Sequence, residues 1–278
     1  MHEVAGVALA AGAAVCFDGA VAWQAHEARQ EEPMRAGHLL ARLVRRRRWL
    51  VATAVAALGW PLQLAALSLA PLTLVQPTLA LGLVALLIAS AVVLHEPVGR
   101  LEIAAAAMVI GGVVVLTLAA PGHEDTHSGI VALLAVIVPL AALALGPWLR
   151  HRRGRAAAFG AAAGFVATGL TTKLVSDGFG AGDIAAIVCW GALTAVLAVA
   201  GSADDMAAMQ DLPASRVAPA ILVAEIVGPV LLAPVLFGES WSQTPGGGAW
   251  IVVGLAAVLC GTLPLASSTT SAAAGSAA

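Results

Sequence analysis

Nine apolar stretches, each roughly 17 to 23 residues long, constrain this chain more than any other feature. They occupy 4–25, 49–70, 72–94, 101–119, 129–149, 156–175, 182–202, 217–237 and 249–266. Each is long enough to cross a hydrocarbon core as a helix. Helix is the required state, because an open strand leaves backbone groups unpaired in lipid. The two-residue alternation of a membrane β-barrel is absent. Composition closes the soluble option: only 11% of the 278 residues are charged, 60% are hydrophobic, and mean hydropathy is +0.93. A soluble domain carries about 25% charged residues. The expected fold is an all-α integral membrane protein with nine transmembrane helices.

Basic residues orient those helices. With the N-terminus outside and the C-terminus inside, the cytoplasmic loops are 26–48, 95–100, 150–155 and 203–216. They hold 13 of the 14 Lys and Arg residues, and only Lys173 falls toward the outer side. Short-loop bias of this kind is what the positive-inside rule describes. Loop 26–48 ends in Arg45, Arg46, Arg47 and Arg48 beside Trp49. These read as a topology anchor, with guanidiniums at anionic headgroups and Trp49 at the interface.

Other features exclude more than they assign. Cys16, Cys189 and Cys260 lie far apart inside apolar runs, as packing residues rather than a disulfide or metal set. The net charge of −2 implies no nucleic-acid partner. No Lys or Arg precedes the first apolar run, so that run reads as a retained helix rather than a cleaved signal. Residues 267–278 are small and uncharged and read as a disordered tail. His123 and His127, in "HEDTH", read as loop residues, with no second ligand cluster to make a metal site.

An internal repeat follows. "PLTLVQP" (71–77) and "PASRVAP" (213–219) share P-x-x-x-V-x-P, and each precedes an apolar span that ends on an acid, Glu96 or Glu239. The two spans run in opposite directions, which makes an inverted-topology repeat, a common construction of secondary transporters. Residues 1–120 form the first repeat, with four helices and the basic loop, and 129–266 the second, with five. Helices 1 to 4 pair with 6 to 9, and helix 5 is left over.

Polar residues within the spans are the candidate site. Glu225 is the ninth residue of span 217–237, close to the midplane, and Pro219 and Pro229 flank it as helix-loosening residues. An intramembrane acid marks an ion or proton path, whereas the structural alternative is a protonated Glu bonded to a neighbouring helix. Asp18 lies within about 10 Å of the middle of helix 1 on a 1.5 Å rise, and snorkelling toward the interface is its alternative. Trp60 and Gln63 in helix 2, Gln76 before Pro77 in helix 3, and Thr171 in helix 6 add neutral polar groups. For Thr171 and its neighbours, a bond back to the same helix is the simpler reading. Lys173 and Asp177 read as a salt bridge at the outer rim.

The segments "MRAG" (34–37), "LAPLTLVQPTLAL" (69–81), "LHEPVGRLEIAAAAMVIGGVVVL" (94–116) and "ASRVAPAILVAEIVGPVLLAPVLFGESW" resemble a known family. The chain is similar to NIPA-like magnesium transporters, within the drug/metabolite transporter (EamA-like) superfamily. That resemblance implies nine or ten helices in two inverted repeats. Family members commonly carry an acid after the glycine of helix 2 and an Asn three residues on. Trp60 and Gln63 stand there, which removes a carboxylate that Mg²⁺ favours.

The expected function is a secondary transporter of the plasma (inner) membrane, moving a small molecule or a cation by alternating access, with proton coupling as an option. Magnesium or another divalent cation is the narrower alternative, and a non-transporting assembly protein is the other. No enzyme motif is present, no cofactor is implied, the lipid bilayer is a partner, and a homodimer stays open.

Overall fold

The computed structural model describes residues 2–29, 36–93, 99–121, 128–150, 154–212 and 214–275. Glu96, His123 and His127 lie outside them. The described residues are helical with no strand. In chain order the helices are α1 (His2–Arg29), α2 (Ala36–Leu43), α3 (Arg47–Leu67), α4 (Leu72–Leu79), α5 (Leu81–Val93), α6 (Arg100–Ala119), α7 (Ile130–Arg150), α8 (Arg155–Ala181), α9 (Ile184–Asp211), α10 (Ala214–Phe237) and α11 (Ala249–Gly275). A short 3₁₀ turn covers Trp241–Gln243.

Seven of these helices are long and apolar enough to cross a membrane, and shorter apolar helices cover Leu72–Ala85 and Ala249–Leu265. The chain is a multi-pass membrane protein by that measure. Its surface carries large apolar side chains such as Leu118, Val131, Phe159 and Ile184, all exposed, the arrangement that a lipid solvent favours. By contrast α8 is mostly buried within the protein, and its "GAAAG" run explains how. Gly164 lets the backbone of Gly201 in α9 approach, and Gly228 in α10 lets Val166 approach. Small residues replace hydrophobic driving force where helices must pack inside a bilayer.

The tightest pairings are α8 with α9, α1 with α3, and α6 with α11. Glycines set the last of these. A Cβ on Gly112 would meet the Gly254 carbonyl oxygen at 2.7 Å, and one on Gly261 would meet the Ala105 carbonyl oxygen at 2.5 Å. The neighbouring Gly111 has nothing within 4 Å. Gly112→Leu is therefore expected to cost about 1–3 kcal/mol by overpacking, and Gly111→Leu little. Thermal unfolding in detergent compares the two, and equal losses would contradict this account of the contact.

Four expectations need correction. Span 72–94 is not one helix but two, broken at Ala80. Pro77 lacks the N–H that a continuous ladder needs, and the backbone tightens there, with Ala80 N–H donating to Pro77 O at 3.1 Å. Loop 26–48 is partly helical, since α1 runs to Arg29 and α2 occupies Ala36–Leu43. Trp49 is not an interfacial residue; it is 6% exposed and packs with Leu43 and Met206. The end of α2 folds over the indole, so an apolar contact within the protein replaces the headgroup. Finally, α11 continues to Gly275, into the segment read as disordered, where the alanines favour helix.

Candidate functional site

The break at Ala80 lies on a cavity. Its walls are Ala14, Phe17 and Asp18 from α1, Gln76, Leu79 and Ala80 around the end of α4, and Leu222, Glu225 and Ile226 from α10. Its volume is about 40 Å³, room for two or three water molecules at roughly 10–15 Å³ each. Three candidates from the sequence thus share one site: Asp18, Gln76 and Glu225.

Local sequence explains each wall. Asp18 reaches the cavity because Gly82, at the start of α5, has no side chain; a Cβ there would collide with the Asp18 carboxylate and approach the Ala14 carbonyl oxygen at 2.7 Å. Phe17 packs its ring over Gly59 of α3. Gln76 and Pro229 both press against Gly169 of α8, where a Cβ would meet Gln76 Nε2 at 2.5 Å and Pro229 Cγ at 3.2 Å. Gln76 is 2% exposed, and its Nε2 is buried with no hydrogen-bond partner. An unpaired buried donor costs about 1–3 kcal/mol, a cost that the packing against Gly169 carries here.

Glu225 and Asp18 are only part-buried, because both open onto the cavity. The charges of Asp18 and Asp205 both act on Glu225. The apolar run ends at residue 202, which puts Asp205 in the expected loop 203–216. Instead α9 continues to Asp211, carrying Asp204 and Asp205 inside the helix. The signal was there: "ADDMAAMQD" contains no Pro or Gly to stop the helix. Asp204 is fully buried over Gly160, which lacks the Cβ that its carboxylate would strike.

The remaining candidates lie elsewhere. Thr171 is fully buried and bonds back to Ala167 O at 2.9 Å, while Thr194 Oγ1 of α9 donates to it at 2.8 Å. Trp60 Nε1 donates to Thr172 Oγ1 at 3.4 Å, tying α3 to α8. Gln63 is buried in α3 and off the cavity. Pro77 sits one turn before the break, and Pro219 lies in the first turns of α10. Of the arginines, Arg45, Arg47 and Arg48 are exposed, whereas Arg46 pairs with Glu27 of α1 at 3.0 Å.

A second polar cluster lies between α8, the start of α4 and the α10–α11 connection. Lys173 and Asp177, expected at an exposed rim, are buried: Lys173 is 0% and Asp177 7% exposed, with Nζ 2.7 Å from Oδ1. Their helix is covered by its neighbours, so the pair could not reach water as a rim bridge would. Glu239, 1% exposed, accepts from the N–H groups of Leu72 (2.6 Å) and Thr73 (3.0 Å) and from the Thr73 hydroxyl. Burial pushes the Glu239 carboxyl above its ordinary value, and those hydrogen bonds and the Lys173 charge draw it back.

Among the described residues, no group of three or more His, Cys, Asp or Glu side chains is arranged to hold a metal ion. No protein-family model matches the chain, and neither a curated protein nor a solved structure matches it.

Proposed function

We propose that this chain is a secondary transporter of the plasma (inner) membrane, with nine spans, N-out and C-in, in two inverted repeats. It moves a small solute or a cation by alternating access through the cavity at Asp18, Gln76 and Glu225. The observation that carries this reading is the meeting of two carboxylates from α1 and α10 in one cavity, beside the tightened turn that joins α4 to α5. Two like charges in one low-dielectric cavity need a counter-charge, supplied either by protons or by a cation. Competition for the same oxygens couples the two.

The packing supports the repeat. Under the exchange of helices 1 to 4 with 6 to 9, the α1–α3 contact corresponds to α8–α9, and α1 with α4 and α5 corresponds to α8 with α10. The α6–α11 contact maps onto itself. A sealed, purely structural Glu225 would be the expectation for an assembly protein, and a carboxylate that faces a cavity is not that. The magnesium alternative has less support: Trp60 stands where the resembled family carries an acid and is bonded to Thr172.

Uptake into proteoliposomes tests the proposal, with divalent cations and a panel of small metabolites presented with and without a pH gradient. Accumulation of one class above empty liposomes is expected, and its dependence on the gradient would identify proton exchange. No accumulation of any cargo under any gradient would sink the transporter reading.

A further inference from the structure

A cargo larger than a few waters enters this cavity only if a wall parts. The wall with the least regular backbone is α4, eight residues long and joined to α5 through a tightened turn at Ala80 (φ −61°, ψ −17°). The other end of α4 begins at Leu72, after Pro71, whose side chain makes no capping bond. A helix start leaves its first N–H groups without intrahelical partners. Here Glu239, distant in sequence, satisfies two of them, at Leu72 and Thr73, and also takes the Thr73 hydroxyl. Trp241 Nε1 donates to Thr73 Oγ1 at 3.3 Å, from the same connecting segment. One turn further along, three residues past Thr73, comes Gln76, a residue of the cavity wall whose Nε2 is buried against Gly169.

We propose that Glu239 is the outer latch of the cavity: it positions α4, and release of its bonds to Leu72 and Thr73 lets α4 swing about Ala80 and open the cavity outward. This rests on the transporter reading for its purpose and on the orientation for its side, but its test reads a motion, not transport. The latch holds because three hydrogen bonds converge on one carboxyl group that is nearly dry, 1% exposed. Lys173 provides the balancing charge, and Asp177 shares that lysine. The connection that carries Glu239 bends at Gly238 (φ 66°) and again at Gly246, Gly247 and Gly248, all with positive φ. Those four glycines give the segment turns that other residues adopt at a cost, so it can fold back onto α4.

The experiment uses the full chain with its three native cysteines replaced by serine and one reporter, Leu79→Cys, on the cavity wall. A membrane-impermeant maleimide is applied to either side of oriented proteoliposomes. Glu239→Ala is expected to raise outer-side labelling about tenfold, the population shift that loss of these three hydrogen bonds brings. Thr73→Val, which keeps the side-chain shape and removes the hydroxyl that Glu239 and Trp241 share, is expected to raise it about threefold. It also serves if Glu239→Ala does not fold. A second reporter, Val109→Cys in the α6–α11 contact, should stay unlabelled in every variant. Unchanged labelling at position 79 in a folded variant overturns the latch, and so does labelling that rises at both reporters, which would mean general loosening. If labelling stays flat while Glu225→Gln still stops uptake, the latch fails and the transporter stands. If no cargo is ever found, the labelling still decides the latch.

Discussion

Glu225→Gln is expected to lower uptake by roughly a hundredfold or more, the scale at which one essential proton-transferring group contributes. The substitution keeps shape and hydrogen-bonding capacity and removes only the ability to carry charge. Glu225 opens onto the cavity opposite Asp18, so no packing contact is lost, and the melting temperature in detergent should stay close to that of the parent. Asp18→Asn should slow uptake less, because Glu225 still supplies a carboxylate, and it should change how uptake depends on the pH gradient. The paired measurement is uptake with and without the gradient for each variant. Normal uptake by the Gln variant would remove Glu225 from the mechanism.

Lys173→Met should have the largest effect on stability. The lysine is fully buried, bonded to Asp177 at 2.7 Å, and its charge also acts on Glu239. Removing one partner of a buried ion pair leaves the other charge uncompensated and costs about 3–5 kcal/mol. For a protein of this length that is a fall of roughly 10 °C in melting temperature. The double variant Lys173→Met/Asp177→Leu should recover much of the loss, because well-packed apolar residues replace buried ion pairs at little cost. Thermal unfolding in detergent separates the outcomes. A single variant as stable as the parent would mean that water reaches the pair.

These predictions draw on different levels of information. Glu225 and Asp18 could be chosen from sequence because an acid in an apolar run is conspicuous wherever it lies. Gln76 was legible only as a polar residue beside a proline. That its donor is orphaned against Gly169, and that it shares a cavity with both acids, depends on which faces of α1, α4 and α10 meet. Thr171, Trp60 and Gln63 looked equivalent to Gln76 by composition and depth, yet they are turned into other contacts. Asp205 was hidden by placing the end of α9 at residue 202, a matter of where hydropathy falls rather than where helix ends.

Local physics, then, determined the class of the chain. Apolar runs of spanning length and too few charges leave helices in a membrane as the workable fold, because backbone groups in lipid must be paired within their own segment. Proline at 77 and the acids at 18 and 225 are likewise written in the sequence. Tertiary structure decided which of them act together. Asp18 reaches the site through the space Gly82 leaves, and Glu239 finds its partners at residues 72 and 73, over 160 positions earlier. Lys173 goes into the interior because other helices cover α8. Contacts of that separation depend on how closely helices approach, and residue by residue the glycines set that distance.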